Sequence, residues 1–385
     1  MKNNAPLIRL FALVLSGLLI LAVSAISVGE DKIVVKTENG VTVVYNPENP
    51  APPPGSPTSL LLRHDLTIGE DAADENSTFS ELRSIQVDDQ ENIYALDMKE
   101  IKIKVFDKNG KFIRAFGTKG QGPGEIGMPI RMEMIPAGNL VIYDLGNNKF
   151  IFFSPDGKCL QETLTGKYWA LSRFKFDSAG CIYADTRTYE ETKMSAELKK
   201  FSPDFKPLLT VASFTEERNP RLITPFSNSF AMQRRQNDTL IWMKTTKYEF
   251  TVVDGAGKPV KKIIRDWPPV KITAAIKERM TKEDLGDQGL PPGYKYEVPS
   301  HFPPVYYFTI DDQDRLYVCT YAYEEKEDDY WPYFDVFDAE GRYIAKFFHP
   351  RRELIFAVKK DKLYCMVQES EEGIPLVKRY SMVWK

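Results

Sequence analysis

The feature that most constrains the fold is a pattern that recurs along the chain at a spacing of roughly 40 to 50 residues. In its clearest copy, IQVDDQENIYALD at 85–97 is followed by IKVFDKNGKFIRAFG at 103–117. Apolar and polar residues alternate with a period of two on either side of a polar turn, as they do in antiparallel strands. Repeated units of antiparallel sheet at this spacing predict a β-propeller.

The copies can be counted. Six of them contain an inner hairpin, at 84–97, 131–144, 173–185, 229–243, 307–320 and 354–367. Five are followed by an outer hairpin, at 105–116, 152–163, 200–211, 252–263 and 336–347. The sixth copy ends one strand short, and the segment 59–71 supplies a strand that has no partner nearby in the sequence. We therefore predict an all-β, six-bladed propeller of four-stranded antiparallel blades, closed by this N-terminal strand in the last blade.

The remaining segments suggest a domain organisation. Lys2 and Arg9 precede an apolar run at 10–26 with small residues at 23–25, which predicts a signal peptide over 1–25 or, if uncut, a membrane anchor over 7–26. A hairpin and a Pro-rich linker follow at 26–57, and the propeller occupies 58–385. An insertion at 266–304, with a helical pattern at 272–280, is expected to cap part of the channel mouth. The protein is expected to be exported, periplasmic or secreted, with membrane anchoring as the alternative.

The run FGTKGQGPGEI at 116–126 resembles the repeat of the NHL-type and TolB-like six-bladed propellers. The resemblance extends over 59–385, and exported bacterial propellers of this kind share the N-terminal hairpin and an Asn-Pro segment. It implies the fold strongly and the function weakly, because most such exported proteins have no defined activity.

Long segments between strands are predicted on one face of the propeller, at 117–129, 186–197, 215–228, 266–304 and 323–331. The turns of the other face are uniformly short. Because scaffolds accept insertions where they carry binding loops, this insertion face is the candidate functional surface. Its expected partner is an unknown small molecule, glycan or protein.

Two groups of residues are candidates for binding there. Arg131 and Arg173 occupy equivalent positions at the start of inner strands, with Arg83 one residue out of step, and clustered guanidinium groups bind carboxylate or phosphate. In the cap, aromatic and imidazole rings could stack on a sugar or a peptide, and these are Tyr294, Tyr296, His301 and Phe302. The competing interpretations are salt bridges between blades and side chains that merely hold the Pro-rich segment in place.

Catalytic and metal chemistry has less support. None of the three histidines, His64, His301 and His349, falls in an inner strand, so we predict no metal site and no catalytic residue. The acidic run EEKEDD at 324–329 leaves calcium open, and a lactonase-like hydrolase or lyase with carboxylate-bound calcium in the channel is the alternative function. Otherwise no cofactor is expected.

Two further points concern partners and redox state. The net charge of −3 gives no reason to expect nucleic acid, and a membrane is expected only through an uncut N-terminal segment, in which case the propeller could dock a membrane complex. Cys159 and Cys181 fall in turns of successive repeats, and a disulfide between them is left open. The leading expectation is an exported, non-catalytic binding propeller.

Overall fold

The computed structural model describes residues 32–385 except positions 72, 169, 170, 172, 227, 287, 288, 327, 328, 369, 371 and 372. The predicted signal peptide or anchor lies outside the described residues. Within them, no helix is long and apolar enough to cross a membrane.

The described chain begins with three strands that belong to the sheets of two different blades. They are β1 (Val34–Glu38), β2 (Val41–Asn46) and β3 (Leu60–Ile68). The first three blades follow in sequence order. They contain β4 (Leu82–Val87), β5 (Ile93–Asp97), β6 (Lys102–Phe106) and β7 (Phe112–Phe116); β8 (Pro129–Met134), β9 (Leu140–Asp144), β10 (Lys149–Phe153) and β11 (Cys159–Leu164); and β12 (Phe174–Phe176), β13 (Ile182–Tyr189), β14 (Lys193–Phe201) and β15 (Pro207–Glu217).

The remaining blades are interrupted by the cap. After β16 (Leu222–Ile223), the fourth blade has β17 (Phe230–Arg234), β18 (Leu240–Lys244), β19 (Glu249–Val253) and β20 (Pro259–Arg265). The cap contains α1 (Ala274–Leu285) and β21 (Lys295–Tyr296), which pairs in parallel with β16. The fifth blade has β22 (Val305–Ile310), β23 (Leu316–Lys326), β24 (Asp329–Phe337) and β25 (Tyr343–Phe348), and the sixth has β26 (Glu353–Lys359), β27 (Lys362–Val367) and β28 (Leu376–Trp384).

Ring closure occurs as the sequence predicts. Strand β3 pairs antiparallel with β28, from Ile68 opposite Val377 to Leu60 opposite Trp384. This pairing supplies the fourth strand of the sixth blade and joins the N-terminal part of the propeller to its C-terminal end. The six-bladed, four-stranded architecture is therefore confirmed.

The recurring tyrosine of the sequence pattern is a core residue. It lies in the second strand of five blades and is at most 1% exposed at Tyr94, Tyr143, Tyr183, Tyr317 and Tyr364. In two blades its hydroxyl donates to the aspartate of the preceding turn, Tyr94 to Asp88 at 3.2 Å and Tyr317 to Asp311 at 3.1 Å. These aspartates also accept backbone amides of their own turns, which explains why the pattern recurs.

The N-terminal hairpin joins the fourth blade rather than standing alone. Strand β2 pairs in parallel with β20, so that blade becomes a six-stranded sheet. The side chain of Asn46, 4% exposed, donates to the carbonyls of Ile264 and Gly341 at 3.2 and 3.0 Å and accepts from the Tyr343 amide at 2.8 Å. This one side chain thus ties the hairpin to the fourth and fifth blades.

Two of the predicted loops are strands. The segment 186–197 continues β13 and β14, with Tyr189 opposite Met194, and 323–331 continues β23 and β24, with Lys326 opposite Asp329. Pairing across both hairpins continues past the length of the repeat, in the fifth blade beyond a register shift between Cys319 and Tyr323. The acidic run 324–329 is therefore the end of a hairpin and not a separate loop, and its positions 327 and 328 lie outside the described residues.

The helix expected at 272–280 is present as α1, one turn longer at its C-terminal end. Thr273 is its N-cap, and its hydroxyl accepts the amide of Ile276. All four cysteines are free, including Cys159 and Cys181.

Candidate ligand-binding site on the insertion face

The cap has a small apolar core of its own. Ile276 of α1 is buried with Ile272 and Val298, and Phe226, Phe302 and Tyr323 pack against them. Because Phe226 precedes the fourth blade and Tyr323 belongs to the fifth, the cap is anchored to both neighbours. It stands over the insertion face as part of the folded domain.

Between the cap and the fifth blade lies a cavity of about 370 Å³. It is bounded by α1, the extended hairpin of β23 and β24, and the connection from β25 to β26. Eight of its 22 lining residues are aromatic, and we call it the aromatic chamber. The rings used below are Phe226, Phe302, Tyr306, Tyr321 and Tyr330.

Tyr321 is the centre of the ring cluster. Phe302 of the cap stacks on it with centroids 5.0 Å apart and planes at 14°, while Phe226 and Tyr306 meet it edge-on at 5.3 and 5.5 Å. Burial raises the pKa of the Tyr321 hydroxyl, so that it stays protonated as a hydrogen-bond donor. Such a wall offers aromatic surface on which a planar or ring-shaped ligand can pack.

Two arginines in the chamber wall lie over the ring of Tyr330. The guanidinium groups of Arg279 and Arg351 lie 4.6 and 4.4 Å from the ring centroid of Tyr330. Arg351 also donates to the Tyr330 hydroxyl at 2.9 Å and pairs with Glu283 of α1 at 3.5 Å. The helix, the long hairpin and the segment before β26 are thereby connected around the cavity.

The chamber continues into the channel. A second cavity of about 280 Å³ shares Tyr306, Tyr307 and Leu354 with it and reaches the inner strands. All residues that line this second cavity belong to the described part of the chain; three of them, Arg131, Arg173 and Lys175, are cationic and none is acidic. We call it the cationic throat.

One buried carboxylate, Glu133, pairs with two of these cations, Arg131 and Lys175. Glu133 accepts Arg131 Nε and Nη2 at 2.9 and 2.8 Å and Lys175 Nζ at 2.8 Å. Burial raises the pKa of Glu133, but the attraction of Lys175 and Arg131 outweighs it and holds the pKa below its ordinary value. Glu133 is thus ionised, and the three groups carry a net charge of +1.

Arg173 has a weaker partner. Its nearest carboxylate, Asp185, is 4.0 Å away and is shared with Arg187 at 3.5 Å. Burial lowers the pKa of Arg173; Asp185 counteracts this, and the like charges of Arg187 and Arg131 lower it further. A ligand anion placed at Arg173 would relieve this repulsion, so the throat favours negative charge.

The candidate residues from the sequence are distributed as follows. Arg131 and Arg173 meet in the throat and Phe302 lines the chamber, whereas Arg83 is exposed and lines neither cavity. Arg83 lies at a register shift between Leu82 and Ser84, and Ser84 takes the position equivalent to Arg131. In this arrangement Arg131 pairs with Glu133 of its own strand, and Glu133 in turn bridges to the third blade through Lys175.

The other cap residues lie outside both cavities. Tyr294 is 40% exposed, Tyr296 donates its hydroxyl to Asp284, and His301 is exposed and hydrogen-bonded to Ser300 at 3.0 Å. Sequence reasoning missed Tyr306, Tyr321, Arg279 and Arg351. Tyr306 lies in the inner strand β22 beside Tyr307, so the repeat register could have placed it at the channel mouth; the others carry no such signal.

The channel does not fit a carboxylate-bound calcium. In the six inner strands, all of them fully described, the carboxylates are Glu133 in the second blade and Glu353 in the sixth. Calcium requires six to eight oxygen ligands. The convergence of acidic residues that this alternative requires is not found in these strands.

The fold and this site define a six-bladed propeller with a capped, ligand-sized cavity at one end of its channel. A sequence profile described as a six-bladed β-propeller, DUF5128, matches residues 73–285. The chain therefore belongs to the DUF5128 family. Among curated proteins no match is found.

Solved structures share the fold at low identity. One is a putative exported protein from Bacteroides fragilis, 12% identical over 89% of this chain and 99% of that one, with a TM-score of 0.53. Another is a DUF4221 family member from Bacteroides vulgatus, 9% identical over 85% and 99%, with a TM-score of 0.52. A gluconolactonase from Xanthomonas campestris, 11% identical over 86% and 99%, reaches a TM-score of only 0.45, too low to argue from. These similarities establish the fold alone.

Proposed function

We propose that this protein is an exported, non-catalytic propeller that binds an acidic carbohydrate through its insertion face. The observation that carries the proposal is the junction of the aromatic chamber with the cationic throat at Tyr306. Aromatic walls accept the apolar face of a sugar ring, and guanidinium groups bind a carboxylate with paired hydrogen bonds. The two cavities together have the size of a typical small-ligand site.

The placement of charge favours an acidic sugar over a neutral one. A neutral sugar would leave Arg173 facing Arg131 and Arg187 with only the shared Asp185 as counter-charge. A carboxylate there adds a charge-assisted hydrogen bond in a partly buried setting. The sugar ring would then extend from the throat toward Phe302 and Tyr321.

Two further parts of the proposal have separate support. Export is supported by the charged and apolar pattern at 2–26 and by the exported designation of the Bacteroides fragilis neighbour. Binding without turnover is supported by the linings of the two cavities, in which, among the described residues, neither histidine nor serine occurs. The three carboxylates of the chamber wall are each engaged by a neighbour: Glu283 pairs with Arg351, Asp284 accepts the Tyr296 hydroxyl and Glu353 pairs with Lys378.

Isothermal titration calorimetry of the full chain tests the proposal with two matched probes, trigalacturonate and neutral galactotriose. We expect trigalacturonate to bind at least about tenfold more tightly, a difference of about 1.4 kcal/mol, and to weaken as salt is added. Equal affinity for the two sugars, or no binding of either, would contradict the proposal. Cleavage of the probe, followed by NMR in the same sample, would contradict the non-catalytic part.

A further inference from the structure

Away from the throat, a sulfur, a nitrogen and an oxygen ligand converge in the interior. His349 follows β25, Glu353 begins β26 and Cys365 lies in β27, so the cluster spans the connection between the fifth and sixth blades. One ligand atom from each lies within 4.8 Å of the other two, and all three residues are buried. We infer that this cluster is a binding site for a divalent transition metal of the zinc class.

The distances fit such an ion. Cys365 Sγ is 3.4 Å from His349 Nε2, and the same nitrogen is 3.3 Å from Glu353 Oε2. Sulfur, imidazole nitrogen and carboxylate oxygen bound to tetrahedral zinc stand about 3.3–3.6 Å apart, given the usual bond lengths of 2.0–2.3 Å. Thiolate and imidazole together select zinc-class ions over calcium or magnesium.

A cation satisfies this convergence better than hydrogen bonding does. Both Sγ and Oε2 approach the single nitrogen Nε2. If Nε2 carries a proton and donates it to the carboxylate, the sulfur receives at most a weak share of that proton; if Nε2 accepts from the thiol, it faces the carboxylate lone pair to lone pair. A cation between the three atoms satisfies all of them at once.

The surroundings orient the carboxylate. Lys378 Nζ donates to Glu353 Oε1 at 2.8 Å, and the Tyr380 hydroxyl donates to Oε2 at 2.6 Å. Lys378 thereby occupies Oε1, and Tyr380 occupies one lone pair of Oε2. The second lone pair of Oε2 is left for the metal. Tyr380 also packs edge-on against the His349 ring at 5.2 Å, and such outer contacts fix the orientation of metal ligands.

Three protein ligands leave one position of a tetrahedral ion for a water or another ligand. Glu353 also borders the aromatic chamber, and the segment between His349 and Glu353 carries Arg351 to its wall. Metal binding would therefore stiffen that wall. The inference does not depend on the proposed sugar ligand and can fail separately from it.

Cobalt(II) substitution tests the site directly in the full chain after treatment with a chelator. We expect one cobalt per chain, with a thiolate-to-cobalt charge-transfer band, and displacement of cobalt by one equivalent of zinc. Cys365→Ser should abolish the band, and the buried thiol variant Cys319→Ser should keep it, because Cys319 lies outside the cluster. Failure to bind stoichiometric metal, or an undiminished band in Cys365→Ser, would overturn the inference.

A second variant keeps the test decisive if Cys365→Ser does not fold. His349→Gln removes the central nitrogen ligand and should weaken zinc binding by more than the roughly 10–100-fold typical of outer contacts. Tyr380→Phe should weaken it within that range. Circular dichroism confirms that each variant is folded, and unchanged zinc affinity in a folded His349→Gln protein would also overturn the inference.

Discussion

Phe302 of the cap stacks on Tyr321 of the fifth blade, with ring centroids 5.0 Å apart and planes at 14°. This contact joins the insertion to the middle of the long strand β23. It forms one wall of the aromatic chamber, and the ligand-binding account depends on that wall.

Removal of one ring should weaken binding without loss of the fold. For Phe302→Ala we expect trigalacturonate affinity to fall about tenfold, equivalent to about 1.4 kcal/mol, because a stacking surface is lost. Calorimetric titration measures the change. Tyr294→Ala is the matched control, since Tyr294 belongs to the same cap segment but is exposed and lines neither cavity. Equal losses in the two variants would mean that the chamber is not the site.

The throat should determine the preference for acidic sugars. Arg173→Gln removes the cation with the weakest partner, so we expect trigalacturonate to bind at least about tenfold more weakly while galactotriose is unaffected. The salt dependence of trigalacturonate binding should also flatten. Arg83→Gln is the control, because Arg83 is exposed and lines neither cavity. A selective loss in Arg83→Gln instead would place the anion site elsewhere.

The Glu133 network should make stability pH-dependent. The pKa of Glu133 lies below its ordinary value of 4.5 in the folded protein, so its ionised form stabilises the fold above that pH. This stabilisation should decline as pH falls from 4.5 through the folded-state pKa. In urea unfolding at pH 7, Glu133→Gln should cost about 2 kcal/mol, less than the ~3–5 kcal/mol of a fully buried pair, because Arg131 is partly exposed.

The control for this prediction is Glu249→Gln, which removes the partner of Lys262 from a pair that is more exposed than the pair of Glu133 and Lys175. It should change stability by less than about 0.5 kcal/mol. The difference between wild type and Glu133→Gln should shrink below pH 4.5. A difference that stays constant down to pH 3 would show that the fold does not lower the pKa of Glu133.

The blades and their closure could be predicted from the sequence because the residues that determine each blade are close together in the sequence. The alternating strands, the turn aspartates such as Asp88 and the buried tyrosines such as Tyr94 all lie within one copy. The missing strand at 59–71 followed from counting, and the helix of the cap followed from its pattern at 272–280.

The chamber could not be predicted in the same way, because its walls come from segments far apart in sequence. Phe226, Arg279, Tyr321 and Arg351 meet only through the assembled ring and the cap. Tyr321 lies where β23 continues past the repeat, and whether a strand continues depends on its partner across the hairpin. Composition alone likewise does not distinguish Phe302, which lines the chamber, from Tyr294, which does not.

The N-terminal hairpin should contribute to stability through a single side chain. Asn46→Ala leaves the Tyr343 amide and two carbonyls without their partner, and we expect a cost of about 2 kcal/mol in urea unfolding. Thr37→Ala, an exposed position on the same hairpin, should change stability by less than about 0.5 kcal/mol. Similar small effects for both would mean that the hairpin packs without relying on Asn46.

The central claim is that an acidic sugar binds where the aromatic chamber meets the cationic throat, and a crystal structure of the complex with trigalacturonate tests it most directly. The account predicts a sugar ring against Phe302 and Tyr321 and a carboxylate within hydrogen-bonding distance of Arg173. A sugar bound instead at the opposite end of the channel, in the cavity lined by Gln236 and Asp312, would contradict it.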